Sequence, residues 1–108
     1  MIDFCKLEIF IPETHLAILQ ETLQHLDAGH IGNYDSCLSY SHVISTWRPL
    51  NGSHPYSGNL GNVSEEHELK VEVTCRISEL EAIIQAVKNI HPYEEPVINA
   101  VPLLRIGL

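Results

Sequence analysis

The chain has 108 residues, of which 44% are hydrophobic and 19% are charged, a balance typical of one globular domain with a single core. Its formal net charge is −8 with histidine counted as neutral. It therefore lacks a basic surface that could neutralise phosphates or anionic lipids, and we expect neither nucleic-acid nor membrane binding. Three widely spaced cysteines without C-x-x-C spacing, Cys5, Cys37 and Cys75, indicate reduced thiols in a cytoplasmic protein.

The first half of the chain predicts a strand, a helix and a second strand. Residues 6–12, KLEIFIP, alternate apolar and other side chains, which predicts a half-buried strand ended by a proline. The next segment, residues 13–32, predicts an amphipathic helix that Gly29 is placed to stop; its apolar stripe is Leu16, Leu19, Leu23 and Leu26. Residues 36–47, SCLSYSHVISTW, are rich in β-branched and aromatic residues and predict the second strand.

A long loop, Arg48 to Val63, separates the second strand from the third. Its text, RPLNGSHPYSGNLGNV, is rich in Gly, Pro, Asn and Ser. Loops of this length inside a compact domain are usually functional or mobile.

The second half predicts a strand, a helix and a last strand. HELKVEVTC, residues 67–75, alternates strictly, with its apolar side chains on one face and Glu68, Lys70, Glu72 and Thr74 on the other. In residues 78–92, Ser78 and Glu81 have the spacing of a capping box, and Pro92 ends the helix. The prolines in PVINAVPLL, residues 96–104, place the last strand at a sheet edge or give it a bulge.

This order of elements, βαββαβ, predicts an α+β, ferredoxin-like fold. Two βαβ units joined by a hairpin form a four-stranded antiparallel sheet with both helices on one face. We expect residues 1–108 to form one such domain, with its second sheet face charged.

Seven histidines raise the hypothesis of a metal site. None forms H-E-x-x-H, and none lies at zinc-ligand spacing from a cysteine. The candidate ligands are His91, Glu94 and His54, and a divalent metal ion is the only cofactor that they suggest. The sequence shows no set of three or four convergent ligands, which a zinc site normally needs.

The segment HPYEEP, residues 91–96, is interpreted first as a connector between the second helix and the last strand. The segment could in addition take part in a ligand-binding site. The candidate ligand-binding residues are Tyr93, Glu95 and Arg48, the last at the start of the long loop. Arg48 could meet an anion. The favoured alternative for Arg48 is a structural ion pair with a nearby carboxylate.

Three segments resemble a known family: GHIGNYDSC, WRPLNGSHPYSGNLG and HPYEEPVINAVPLL. They are similar to the proteins related to NGG-interacting factor three, the YqfO-like group, and more narrowly to the domain inserted in its larger members, which also occurs free-standing. The resemblance runs from Lys6 to Leu104. The chain departs from the family pattern at Val43–Ser45, where a glycine-bearing run is expected.

The resemblance implies a fold like that of PII signalling proteins and CutA divalent-cation-tolerance proteins, which assemble as trimers and carry a long loop between the second and third strands. Larger relatives hold a two-metal site in lobes that these 108 residues do not contain, so that site is not carried over.

The leading functional hypothesis is a non-enzymatic PII/CutA-like oligomeric module, a trimer, that binds a small ligand, a metal ion or a protein partner. The alternatives are a divalent-metal-handling protein of CutA type and an accessory subunit of a metal-dependent hydrolase. An enzyme should show a convergent acid–base or nucleophile set, and none is visible in the sequence.

Overall fold

The computed structural model describes all residues from 1 to 108. Strand β1 is Phe4–Ile11, and after a 3₁₀ turn at Glu13–His15 helix α1 covers Leu16–His25. Strands β2, Ser39–Trp47, and β3, Ser64–Arg76, follow. A second 3₁₀ turn, Ile77–Glu79, leads into helix α2, Leu80–Ile90, and strand β4 is Ile98–Leu103.

The four strands form one antiparallel sheet in the order β2-β3-β1-β4. Strand β3 lies between β1 and β2, with Val71 opposite Ile9 on one side and Tyr40 on the other. Strand β4 pairs only with β1 and is an edge strand, which confirms the position that its prolines predicted. The ferredoxin-like fold class is confirmed.

The core lies between the sheet and the two helices, as the alternating strands and the helical stripes predict. Burial alternates along β1, and its inward side chains meet Leu19 and Leu23 of α1 and Ile83 and Val87 of α2. Removing these apolar side chains from water is the main stabilising contribution to such a fold.

The opposite face of the sheet is charged near its centre. Lys6 lies 3.3 Å from Glu8 and 3.1 Å from Glu72, and Lys70 lies 3.6 Å from each of the same two carboxylates. These four side chains form a partly exposed network of alternating sign, which confirms that this face of β3 is charged.

The capping box predicted for α2 is wrong. Ser78 and Glu81 have the correct spacing, but Ser78 lies inside the 3₁₀ turn that precedes the helix, and no side chain caps either helical segment. The position that a capping serine needs is the extended residue just before the first turn, and Arg76 occupies it here.

The predicted role of Gly29 as the stop of α1 is also wrong. The helix ends at His25, and Asp27, at φ 56°, takes the left-handed position of a Schellman motif. The two diagnostic bonds are present: the Ala28 N–H donates to the Leu23 carbonyl and the Asp27 N–H to the Gln24 carbonyl, both at 3.0 Å.

No helix of the structure is both long enough and apolar enough to cross a membrane.

Candidate functional site

A cleft lies where the long loop meets the HPYEEP segment. It has a volume of about 740 Å³. Its walls come from the end of β2 and the following loop on one side and from residues 93–95 and Val97 on the other, and Phe10 of β1 and Glu68 of β3 also line it. The connector and the loop, far apart in sequence, therefore build one site.

Glu68 is the buried acid of this cleft. Only 4% of its surface is exposed, although strand alternation places it on the charged face of the sheet beside Lys70. The connector covers that face at its Glu68 end, and the Tyr93 hydroxyl donates a hydrogen bond of 2.7 Å to Glu68 Oε2. A buried carboxylate needs such a donor, because leaving water without a partner is costly.

Tyr93 is the central side chain of the connector. Burial, followed by the hydrogen bond to the Glu68 carboxylate, raises the pKa of the Tyr93 phenol. The phenol therefore stays protonated at neutral pH and acts as a hydrogen-bond donor to the carboxylate.

His91 ties the connector to the end of β1. Its Nε2 lies 2.7 Å from the carbonyl oxygen of Phe10, and the Tyr93 N–H donates to its Nδ1 at 3.1 Å. A carbonyl only accepts hydrogen bonds, so Nε2 carries the proton and Nδ1 is the acceptor of a neutral ring. Burial lowers the pKa of His91, which is consistent with the neutral tautomer.

Three of the aromatic rings that line the cleft pack against one another in succession. Tyr93 packs against Trp47, with ring centroids 5.9 Å apart, and against Tyr56, with centroids 5.8 Å apart. The ring of His15 meets Tyr56 edge-on at 6.4 Å. Contacts of this geometry are favourable for aromatic pairs, and they hold the loop against the connector.

Polar contacts hold the loop in the same place. The backbone N–H of His54 donates to Glu94 Oε1 at 2.7 Å, and the Ser57 hydroxyl donates to Glu66 Oε1 at 2.6 Å. The indole N–H of Trp47 donates to the Ser57 carbonyl at 3.3 Å. The loop is thus joined both to the connector and to the strands that flank it.

The structure brings most of the sequence candidates together. Arg48, Tyr93, Glu94 and Glu95 all line the cleft. The ion pair favoured for Arg48 is wrong, because no carboxylate lies within ion-pair distance of its guanidinium. The structural reason is that Arg48 is exposed at the cleft mouth.

The three metal candidates are not arranged as a ligand set. His54 reaches Glu94 through its backbone N–H, and both ring nitrogens of His91 are engaged in hydrogen bonds. No group of three or more His, Cys, Asp or Glu side chains is placed to hold a metal ion.

Sequence reasoning missed Glu68, Trp47 and Tyr56 as cleft residues. Glu68 follows the alternation of β3 and carries no local sign of burial. A weak signal existed for Trp47, which is the only tryptophan of the chain and directly precedes Arg48.

Comparisons with known proteins agree with the fold. Residues 52–107 match the model of the family described as CutA1 divalent ion tolerance protein. The chain is 36% identical over 102 residues to a GTP cyclohydrolase 1 type 2 homolog of Halalkalibacterium halodurans, and 33% identical over 98 residues to its namesake in Bacillus subtilis. These alignments cover 94% and 91% of this chain but only 27% and 26% of the relatives, so the chain spans about a quarter of their length.

Solved structures give the same picture. A Bacillus cereus protein related to NIF3 superposes with a TM-score of 0.84 at 30% identity, covering 96% of this chain and 26% of that one. The periplasmic divalent cation tolerance protein CutA from Archaeoglobus fulgidus superposes with a TM-score of 0.73 over 97% of this chain and 87% of its own, at 20% identity. At that identity the second likeness shows the fold alone.

Proposed function

The chain belongs to the CutA1 divalent ion tolerance protein family and has NIF3-related proteins among its relatives, and from this premise we propose that it is a non-enzymatic, oligomeric ligand-binding module. Its binding site is the cleft between the long loop and the HPYEEP segment. The observation that carries the proposal is the buried Glu68 carboxylate, held by Tyr93 at the base of a cleft of about 740 Å³. A volume of this size suits a small organic molecule.

The side chains of the cleft support binding rather than catalysis. The ring nitrogens of His91 are both engaged and the phenol of Tyr93 is held protonated, so neither is free to act as a general base. No serine, threonine or cysteine in the cleft hydrogen-bonds to a histidine, which is the arrangement that activates a nucleophile. The relatives' name refers to GTP cyclohydrolase 1, and this chain corresponds to only 27% of the first of those proteins.

A ligand screen with a matched pair of variants tests the proposal. Tyr56 lines the cleft, whereas Tyr34 is 74% exposed outside it. We expect at least one compound of a metabolite collection to raise the melting temperature of the wild type and of Tyr34→Ala, because a ligand that binds only the native state stabilises it by mass action. The shift should be lost in Tyr56→Ala. A ligand whose shift persists in Tyr56→Ala, or a collection without any ligand, would overturn the proposal.

Divalent-metal handling is the second candidate function, since the family description names divalent ions. The residues of this chain fit a resident metal poorly, because His91 would have to give up a hydrogen bond to the Phe10 carbonyl or to the Tyr93 N–H before it could coordinate an ion. We therefore assign no metal-dependent step to the site.

A thermal-shift experiment with zinc and copper separates the two functions. We expect any increase in melting temperature caused by zinc or copper to be the same in His91→Ala, in Glu94→Gln and in wild type. The reason is that His91 holds the connector against the Phe10 carbonyl and Glu94 accepts the His54 N–H, so neither side chain is free to bind a metal ion. A shift that disappears in both variants while the metal-free proteins stay folded would establish the metal function instead. Such a result would also support the third candidate function, that of an accessory subunit for a metal-dependent hydrolase.

A further inference from the structure

We infer that the ligand of this cleft is a small organic cation, bound with its charge at the buried carboxylate of Glu68 and its body against the aromatic rings. This inference rests on the proposed function, since it names the chemical class of the ligand. Three carboxylates and one guanidinium line the cleft: Glu68, Glu94, Glu95 and Arg48.

The position of these charges favours a cation. Glu68 is 4% exposed, whereas Arg48, Glu94 and Glu95 are exposed at the rim. Water and salt screen exposed charges strongly and buried charges weakly. The field inside the cleft is therefore governed by the carboxylate at its base, and an anion would have to bind against it.

One oxygen of that carboxylate has no partner within the chain. Oε2 accepts the Tyr93 hydroxyl, while Oε1 receives no hydrogen bond. Every fully enclosed side-chain oxygen of the structure has a hydrogen-bond partner. Oε1 has none, so it is not fully enclosed, and Glu68 is one of the residues that line the cleft. Each carboxylate oxygen accepts about two hydrogen bonds; a guanidinium or a protonated amine would supply the missing donors, and a quaternary ammonium would balance the charge without donating.

The aromatic wall suits the same class of ligand. Trp47, Tyr56 and Tyr93 all line the cleft, with successive ring centroids less than 6 Å apart. Ring faces attract cations, most strongly alkylated ammonium and guanidinium groups that shed water easily. The combination of a buried carboxylate with adjoining rings recognises positive charge through two independent interactions.

Two pairs of probes test the inference because each pair differs chiefly in charge. Choline is compared with 3,3-dimethyl-1-butanol, its neutral isostere, and methylguanidinium with methylurea. Binding is followed by NMR titration of the backbone amides of the full chain. We expect at least one cation to shift the cleft amides and to bind about tenfold or more tightly than its neutral partner, the effect of a charge-assisted contact of ordinary strength.

Variants identify the group responsible. Glu68→Gln keeps an acceptor for Tyr93 but removes the charge, and should weaken cation binding at least about tenfold. Glu65→Gln, an exposed position on the same strand and outside the cleft lining, should leave it unchanged. Arg48→Gln removes the positive charge from the cleft lining and should therefore tighten cation binding. The direction of the change in cation affinity in Arg48→Gln can be measured even if Glu68→Gln does not fold.

Each contrary result overturns the inference in a distinguishable way. Three results would show that the ligand is not a cation while leaving the proposed ligand-binding function intact. They are equal affinity within both probe pairs, loss of cation binding in Arg48→Gln, and a screen whose cleft ligands are only neutral or anionic. A cleft that binds no compound of any charge would remove both.

Discussion

The burial of His91 makes the stability of the protein depend on pH. Its folded-state pKa is lowered by burial, whereas in the unfolded chain it stays near the ordinary value of about 6.5. Below that value the unfolded state binds a proton that the folded state resists, so the free energy of unfolding falls as the pH drops toward the folded-state pKa. Above it, the difference in pKa contributes no pH dependence.

The first prediction follows from that sign. Replacing His91 by Gln removes the titrating ring, so we expect the loss of stability between pH 7 and pH 5 to be smaller in His91→Gln than in wild type. Urea denaturation across this range measures the slope. Parallel slopes in the two proteins would mean that the His91 ring is not held neutral.

His30 supplies a control of opposite sign. Its ring bonds to Asp27 at 3.0 Å, and this contact, followed by one to the Gly32 carbonyl, raises the pKa of His30. The stabilisation is complete below the unfolded-state value and disappears as the pH rises through the folded-state pKa. We therefore expect His30→Gln to lose stability at pH 5 and little at pH 9, the reverse of the change in His91→Gln.

Gly29 carries a second residue-scale prediction. Its N–H donates to the Thr74 carbonyl at 2.8 Å and its carbonyl accepts from Cys37 at 3.0 Å, at φ 83°. A Cβ there would collide with the Cys37 carbonyl, whereas one at Gly52, φ 94°, would meet nothing. Both alanine variants carry backbone strain of about 1–3 kcal/mol, and we expect Gly29→Ala to cost clearly more in chemical denaturation. Equal losses would contradict the predicted steric effect at Gly29.

At the scale of the element, strand β3 is one of the two central strands of the sheet, since it pairs along both of its edges, as β1 does. Val71 is fully buried within it, whereas Val63 in the loop is 68% exposed. We expect Val71→Ala to lower the free energy of unfolding by about 1–3 kcal/mol through lost burial and a residual cavity. Val63→Ala should change it by less than about 0.5 kcal/mol. A loss at Val71 within experimental error of zero would contradict its packing in the core.

At the scale of the whole molecule, the edge strands suggest how the protein assembles. Strand β4 is protected by Pro102, but β2 is a nine-residue edge without proline, and its side chains Tyr40 and Ile44 are 48% and 61% exposed. Such an edge invites pairing with another chain. We expect the protein to be a homotrimer in solution, as the resemblance to PII and CutA proteins implies.

Light scattering at micromolar concentration tests this assembly. Ile44→Lys should shift the protein toward the monomer while preserving its circular dichroism, because a charge at a subunit contact is costly. Leu60→Lys, at a loop position of similar exposure (53%), should remain oligomeric. A wild-type monomer would contradict the assembly, and an oligomeric Ile44→Lys would contradict the role of the β2 edge.

The sequence by itself determined the fold class, the order of elements and the bounds of the long loop. These follow from local patterns: alternation in β1 and β3, leucine spacing in α1, and a proline after α2. Such patterns are legible because each residue's face is set by its neighbours along the chain. The family resemblance, also confirmed, rests on the same contiguous segments.

Only the tertiary structure decided which residues line the cleft and which of them are buried. Alternation places Glu68 and Lys70 on the same face, yet Glu68 is buried under Tyr93 and Lys70 is not, because a connector from 25 residues further along folds over that end of the sheet. In the same tertiary structure both ring nitrogens of His91 form hydrogen bonds, and no carboxylate lies close enough to Arg48 to form an ion pair. Burial and partnership depend on contacts between distant segments, and no local pattern encodes them.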